Sequence, residues 1–131
     1  MPENIARVRV RYAETDKMGV AYYANYFVWF EVGRCELLRS LGGSYRDMEL
    51  NGVMLPAIEA HCEFRIPVRY DDALDIATES SLLSPARVEF NYQVVRSSDR
   101  AVVAVGRTIH AAIDQSGRPR RLPKDIETIL A

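Results

Sequence analysis

The residues best suited to chemistry lie in an acidic loop that precedes the longest helical pattern in the chain. Residues 13–21, which include Asp16 and Gly19, follow neither the helical nor the strand period and therefore indicate a loop. A helix that begins just after this loop would present free backbone N–H groups and a partial positive charge. Such a helix end can stabilise an oxyanion, and a nearby carboxylate such as Asp16 can attack a carbonyl or activate water. Because aspartate before a helix is also a common cap or solvated loop residue, this pattern proposes catalysis without establishing it.

Other catalytic classes have no support in the sequence. The motifs GxSxG, GxGxxG and GxxxxGK[ST] do not occur, which removes the usual signatures of serine hydrolases, dinucleotide sites and P-loops. The two histidines, His61 and His110, fall far apart on separate strand patterns and lack the neighbouring ligands of a metal site. We therefore expect neither a metal nor a cofactor.

The composition is that of one soluble domain. We interpret residues 1–131 as a single domain, because this length fits one core. Lys and Arg total 17 against 18 Asp and Glu, which gives a net charge of −1 and no overall field that would attract nucleic acid. No apolar run approaches the roughly 20 residues of a spanning helix, and the N-terminus lacks the apolar stretch of a signal peptide. We expect a cytoplasmic protein without membrane insertion.

The elements that would position the acidic loop follow from the hydrophobic periodicity. Residues 5–12 alternate as a half-buried strand, with Tyr12 on its apolar face. A helical pattern begins at about Tyr22 or Asn25 and ends at Leu41, with Asn25 as a candidate N-cap. This is the only long helix that the sequence predicts. Because it is apolar on more than one side, we expect the rest of the chain to enclose it.

Four strand patterns follow the helix. They share an alternation of apolar and polar residues and cover residues 56–66, 74–83, 88–96 and 101–113. The links between them are short, so we predict that these four strands form an antiparallel meander. A strand, a helix and then a run of strands is the order of an α+β fold. Residues 44–52 are predicted to be an irregular link, and residues 124–130 a last helical turn.

The segment from Val10 to Arg39 closely resembles the N-terminal signature of the 4-hydroxybenzoyl-CoA thioesterase family. In that signature a strand ends in an Asp-x-x-Gly-hydrophobic loop, followed by an aromatic cluster, Asn-Tyr, and a helix with an acidic residue and an arginine. The matching residues are Asp16, Gly19, Val20, Tyr22, Asn25, Tyr26, Glu31 and Arg34. Strand order, the PVRYDD turn at residues 67–72 and total length extend the resemblance over essentially the whole chain.

The resemblance implies a hotdog fold, in which a curved antiparallel five-stranded sheet wraps around one long central helix. It implies an acyl-CoA thioesterase that hydrolyses an acyl-CoA or aryl-CoA thioester to free acid and CoA, without a cofactor. Asp16 would act as nucleophile or general base, and the backbone N–H of Tyr23 would polarise the thioester carbonyl. The candidate substrate-binding residues are Gly19, Val20, Tyr22, Asn25, Tyr26 and Arg87.

The chain departs from the family pattern in ways that bear on the substrate. Relatives in the Tol-Pal-associated thioesterase group carry Tyr-His where this chain has Tyr22 and Tyr23. The turn that holds the CoA phosphates in related aryl-CoA enzymes contains only Arg87 here, so a second candidate is the basic cluster Arg118, Arg120 and Arg121. Hydratases of this fold place a histidine five residues after an aspartate, where this chain has Ala21. An aryl or an aliphatic pocket would be lined by Phe27, Phe30, Val53, Met54 and Phe64.

The resemblance also implies self-association. The family pairs two subunits into one continuous sheet, so we expect a homodimer or a dimer of dimers, that is, a homotetramer. A lone subunit would expose a long apolar edge strand, which natural proteins avoid. The alternative from a different class is a non-catalytic hotdog protein that binds acyl-CoA or acyl carrier protein. Sensors of this type usually carry a fused DNA-binding element, for which this chain has no spare residues.

Overall fold

The structure is a computed structural model that describes residues 2–131, and over these residues it contains five strands and three α-helices. The strands are β1 (Glu3–Arg9), β2 (Ala57–Phe64), β3 (Ala73–Ser84), β4 (Arg87–Arg96) and β5 (Val102–Ala111). The helices are α1 (Asn25–Ser40), α2 (Tyr45–Leu50) and α3 (Lys124–Leu130), and a 3-10 turn covers Tyr12–Glu14. None of the helices in residues 2–131 is long and apolar enough to cross a membrane.

Helix α1, with 16 residues, packs one apolar face against the sheet. Its buried residues recur at spacings of three and four: Tyr26, Trp29, Phe30, Gly33, Leu37 and Leu38. A Cβ added at Gly33 would lie 2.3 Å from Thr78 Oγ1 on β3, and one added at Gly106 on β5 would lie 2.5 Å from the Phe30 ring. These two glycines therefore set how closely α1 approaches the sheet.

The helices differ from the prediction of one long, enclosed helix. Two shorter helices accompany α1, and the outer side of α1 is partly exposed at Val28. The predicted irregular link at residues 44–52 is wrong, because it contains α2. Ser44 caps that helix by accepting a hydrogen bond from the N–H of Asp47 at 3.0 Å. The predicted helical turn at residues 124–130 is confirmed as α3.

The sheet is antiparallel throughout, with the strand order β1-β3-β4-β5-β2. The predicted four-strand meander is therefore wrong for β2. Strands β3, β4 and β5 are successive neighbours, whereas β2 pairs with β5, with Phe64 opposite Ala104. The reason lies in residues 65–72, which make no hairpin turn. Val68 in this segment is fully buried, and its carbonyl accepts a hydrogen bond from the Ala21 N–H at 2.8 Å, so the segment runs along the acidic loop.

The first strand is shorter than the alternation predicts. β1 ends at Arg9, and Tyr12 lies in the 3-10 turn with its side chain 78% exposed, so its predicted place on the apolar face is wrong. Val10, by contrast, is buried. The chain turns here because the Glu14 carboxylate accepts a hydrogen bond from the Arg11 N–H at 2.7 Å. This local bond replaces the next step of strand pairing.

The two edge strands of the sheet are β1 and β2. On β2 and just after it, Ile58, Phe64 and Ile66 form an exposed apolar strip. The alternation predicts these residues to face the core, but no element within residues 2–131 of a single chain covers this part of the sheet edge. We refer to Ile58, Phe64 and Ile66 as the β2 strip.

Candidate active site

Asp16 lies in a loop that closes on itself. Thr15 and Ala21 form an antiparallel bridge at its base. Within the loop, the Asp16 N–H donates to the Val20 carbonyl at 3.0 Å, and the Gly19 N–H donates to the Asp16 carbonyl at 2.9 Å. Gly19 has a φ of 77°, a left-handed conformation that glycine adopts without strain. The loop backbone therefore holds Asp16 in place without using its side chain.

The Asp16 carboxylate is only partly engaged. Its Oδ1 accepts a hydrogen bond from the Met18 N–H at 2.9 Å. Within residues 2–131, Oδ2 accepts none, and the side chain is half-buried. One carboxylate oxygen is thus fixed by the loop while the other remains available to a substrate or a water molecule.

The chain from Tyr22 to Tyr26 supplies the N-terminal turn of α1. The Tyr22 N–H donates to the Glu14 carbonyl at 2.8 Å, and the Tyr26 N–H donates to the Tyr23 carbonyl at 3.2 Å. The N–H of Tyr23 itself has no acceptor in the described part of the chain. A free N–H at the positive end of a helix is a suitable donor to a developing oxyanion.

Glu14 is a buried carboxylate that the sequence reasoning missed. Its side chain is only 5% exposed, and Oε2 accepts a hydrogen bond from the indole N–H of Trp29 at 3.1 Å. Its backbone carbonyl also accepts from the Asn25 side-chain amide at 2.9 Å. The predicted N-cap role of Asn25 is wrong, because Asn25 is the first residue of α1 and Ala24 occupies the N-cap position. In the sequence, Glu14 is distinguished only by its acidic side chain and its position two residues before Asp16.

An aromatic cluster lies beside the start of α1. Tyr23 stands 4.7 Å from Tyr22 and 6.3 Å from Phe64, and Phe64 stands 4.9 Å from Tyr26, measured between ring centroids. The neighbouring Tyr23 phenol raises the pKa of Tyr22, and the charge of Asp16 acts in the same direction. Burial raises the pKa of Tyr26 to about 12. The phenols of Tyr22 and Tyr26 are therefore uncharged at neutral pH. With Tyr23 and Phe64, which are half-exposed, they form an apolar and hydrogen-bonding surface.

The candidate pocket residues separate into core and surface. Phe30 and Val53 are fully buried core residues, and Phe27 packs against the same core. Phe64 is 48% exposed and contacts the aromatic cluster, so it is the member of this set best placed to meet a ligand. Met54, half-buried, forms a bridge with Ile113 after β5.

The basic residues predicted to hold phosphates lie at one end of the sheet, and Asp16 lies at the other. The acidic loop lies at the end of the sheet where β3 begins, because Arg9 pairs with Ala73. Arg87 lies at the opposite end, after β3 ends at Ser84. The tail joins it there through two backbone hydrogen bonds, from Leu122 N to Pro85 O at 2.9 Å and from Arg120 N to Ala112 O at 3.0 Å. Arg87 thus lies at the same end of the sheet as the basic cluster Arg118, Arg120 and Arg121, and all four side chains are exposed.

The two histidines have structural or surface positions. His61 is exposed, whereas His110 is buried with Nε2 2.9 Å from Thr108 Oγ1 and Nδ1 2.9 Å from the Leu55 carbonyl. Burial lowers the pKa of His110 to about 4, so the ring is neutral at physiological pH. Among residues 2–131, no group of three or more His, Cys, Asp and Glu side chains could hold a metal ion.

A concave surface of about 990 Å³ in the described part of the chain does not contain Asp16. It includes His61 and Glu63 on β2, Asn91 on β4 and Arg107 on β5. No residue of the acidic loop borders it. Tyr23 is 57% exposed and Asp16 is half-buried, so a single chain presents both residues at its surface.

The sequence and the fold both have clear relatives. The pattern of the Thioesterase-like superfamily matches residues 10–130. YneP of Bacillus subtilis (strain 168) is 45% identical over 71 residues, which are 54% of this chain and 51% of YneP, so that match spans about half of each protein. The acyl-CoA thioester hydrolase YbgC of Escherichia coli O157:H7 is 30% identical over 120 residues, 91% of this chain and 89% of YbgC. The structure of DHNA-CoA thioesterase from Staphylococcus aureus superposes with a TM-score of 0.89 at 32% identity, over 93% of this chain and 82% of that one.

Proposed function

The chain belongs to the thioesterase-like superfamily of hotdog proteins, and from this premise we propose that it hydrolyses an acyl-CoA thioester to a free acid and CoA. The proposal rests on two groups that have no hydrogen-bond partner within residues 2–131. One is a carboxylate oxygen of Asp16, and the other is the N–H of Tyr23 at the N-terminus of α1. The names of YbgC and of the Staphylococcus aureus enzyme support the same reaction. Within the superfamily, we place the chain nearest the 4-hydroxybenzoyl-CoA thioesterase family, with α1 as the central helix.

Two routes through Asp16 fit this arrangement. As a nucleophile, the carboxylate attacks the thioester carbon, the C–S bond breaks, CoA leaves as a thiolate that takes up a proton, and water hydrolyses the mixed anhydride. As a general base, it removes a proton from a water molecule, which attacks the same carbon and also expels the thiolate. In both routes the Tyr23 N–H donates to the carbonyl oxygen as negative charge develops on it.

The substrate would contact residues on both sides of Asp16. We propose that Gly19, Val20 and Tyr22 border the thioester, while Asn25 and Tyr26 support it from the first turn of α1. The acyl group, aryl or aliphatic, would lie against Phe64. Arg87 and its neighbours in the tail would bind the CoA phosphates, and because they lie at the far end of the sheet, they would do so from a second subunit.

A homodimer formed along β2 would provide that second subunit. The β2 strip is apolar, exposed and directly beside the aromatic cluster, and an uncovered edge strand invites pairing with another strand. A two-fold dimer would bury both copies of the strip and enclose the open surface around Asp16. An Ile58→Glu variant should sediment as a monomer, whereas wild-type chain that sediments as a monomer at micromolar concentration would exclude this assembly.

The reaction is tested by the release of free thiol from a panel of thioesters, from acetyl-CoA to palmitoyl-CoA together with benzoyl derivatives. Asp16→Asn keeps the size of the side chain and removes the reactive charge, so we expect loss of turnover with the fold retained by circular dichroism. Asp47→Asn, an exposed acid in the first turn of α2, is the matched control and should retain wild-type turnover. If Asp16→Asn releases CoA as fast as wild type, the proposed site is wrong. Wild type that binds acyl-CoA without turnover would indicate a non-catalytic binding protein instead.

A single turnover in H₂¹⁸O tests the nucleophilic route. Attack by Asp16 followed by hydrolysis at the aspartyl carbon leaves ¹⁸O in the Asp16 side chain, which mass spectrometry of the peptide detects. Label in the released acid alone excludes hydrolysis at the aspartyl carbon, and it is the result expected either when Asp16 activates water or when water opens the anhydride at the acyl carbon.

A further inference from the structure

Glu14 is hydrogen-bonded to the chain segments before and after the acidic loop. Its Oε1 accepts from the Arg11 N–H at 2.7 Å, and its Oε2 accepts from the Trp29 indole N–H at 3.1 Å, with the Arg11 guanidinium at 3.5 Å. Its backbone carbonyl accepts from the Tyr22 N–H at 2.8 Å and from the Asn25 amide at 2.9 Å. One residue thus connects the end of the first strand segment, the first two turns of α1 and the peptide that immediately precedes Tyr23.

The position of Glu14 relative to the two reacting groups follows from these bonds. It lies two residues before Asp16, so its backbone fixes one side of the acidic loop. The bond to Tyr22 N fixes the chain one residue before the Tyr23 N–H. Trp29 is buried in the face of α1 that packs on the sheet. Its bond to the Glu14 carboxylate therefore connects both the acidic loop and the chain before Tyr23 to the core.

We propose that Glu14 is a positioning residue for thioester hydrolysis, which holds Asp16 at its working distance from the Tyr23 N–H through a buried hydrogen bond to Trp29. The inference rests on the proposed function. A carboxylate suits this role because all three of its nearest partners are donors. An amide in the same place would accept from only one side and would direct its NH₂ group at a second donor.

Substitutions of Glu14 and Trp29 should lower kcat by disturbing this hydrogen bond. In Glu14→Gln, the amide NH₂ meets either the Trp29 or the Arg11 N–H, so the loop shifts relative to α1. A misplacement of about 1 Å in a catalytic group lowers the rate by about 100-fold, and we expect a loss of that order in kcat with little change in KM. Trp29→Phe removes the indole donor and should also lower kcat. In the double variant the clash of donors is gone, so its kcat should equal or exceed that of Glu14→Gln alone.

The experiment measures kcat and KM for wild type, Asp16→Asn, Glu14→Gln, Trp29→Phe and the double variant, with stability from urea unfolding. Asp75→Asn is the control: Asp75 is also a buried carboxylate paired with arginines, but it lies on the sheet face away from α1. We expect this control to lose stability and keep wild-type kcat.

The variants distinguish the role of Glu14 from the proposed thioester hydrolysis. Wild-type kcat in a folded Glu14→Gln protein, beside an inactive Asp16→Asn protein, would overturn the role of Glu14 and leave the proposed reaction standing. Multiplied losses in the double variant would also overturn it, because they would show that Glu14 and Trp29 act separately. A wild-type chain without turnover on any thioester would overturn both.

Discussion

Acidification should weaken the fold through one buried side chain, His110. Its Nδ1 lies 2.9 Å from the Leu55 carbonyl, which can only accept, so this nitrogen carries the proton of the neutral ring. The other nitrogen, Nε2, then accepts from the Thr108 hydroxyl at 2.9 Å, and Thr108 in turn lies 2.6 Å from the Tyr92 hydroxyl. A second proton on His110 would turn its acceptor into a donor and force these hydroxyls to reorient in a buried site.

The magnitude follows from the pKa of His110 in the two states. Burial lowers this pKa from 6.5 to about 4 in the folded chain. The neutral ring therefore contributes its full stability above pH 6.5. As the pH falls from 6.5 to about 4, the unfolded chain takes up a proton that the folded chain refuses, and this contribution is lost. At about 1.4 kcal/mol per pH unit, the total loss is about 3 kcal/mol.

Urea unfolding of wild type and of a His110→Gln variant, at intervals from pH 7.5 to pH 4, measures this loss. The variant is less stable at neutral pH, but it lacks the group that titrates, so its stability should fall less steeply. The wild type should lose up to about 3 kcal/mol more than the variant over this range. The Asp99 carboxyl does not interfere, because its hydrogen bond to Arg96 lowers its pKa to about 2 and places its loss below this range. Parallel curves for the two proteins would refute the reasoning.

Three further predictions concern close packing, helix capping and the basic cluster. Gly33→Ala should lower the free energy of unfolding by about 1–3 kcal/mol, since its methyl group would overlap Thr78 Oγ1, and an unchanged urea midpoint would contradict this packing. Ser44→Ala should cost about 1 kcal/mol by removing the cap of α2, whereas Ser44→Asp should retain most of it. The double variant Arg120→Ala with Arg121→Ala should raise KM for acyl-CoA about tenfold and leave the same acyl group on N-acetylcysteamine unaffected. Equal changes for both thioesters would show that this cluster does not bind the CoA phosphates.

Periodicity and the short links predicted which segments form strands, where α1 lies and that β3, β4 and β5 are successive neighbours, but they did not predict the neighbour of β2. Alternation along β2 reports that one face is apolar, and the same pattern fits pairing with β3 or with β5. The deciding contact is the buried Val68, whose carbonyl bonds to Ala21 across the chain. Contacts of this kind join residues distant in sequence, so no local pattern contains them.

Some residues of the candidate site could be predicted from the sequence and others could not. Asp16 and the Tyr23 N–H were predicted from the family resemblance, and their roles stay predictions until the variants are assayed. Glu14 could not be predicted, because its burial depends on the Trp29 indole, which lies beyond the intervening loop. His110, which in the sequence lies on a strand pattern without neighbouring metal ligands, has a buried structural position. Its ring nitrogens bond to the Leu55 carbonyl and to Thr108, and Thr108 in turn bonds to Tyr92 on β4.

The place of β2 at the far edge of the sheet has a consequence for the order in which the chain folds. The β3-β4-β5 meander closes through short turns, so we expect it to form early, whereas β2 must find β5 across the intervening β3 and β4 and should dock late. Until it docks, both the free side of β5 and the β2 strip are open to other chains. The segment that completes the surface beside Asp16 is thus also the one that leaves a nascent chain most prone to aggregate, and rapid capture of β2 by a partner subunit would shorten that interval.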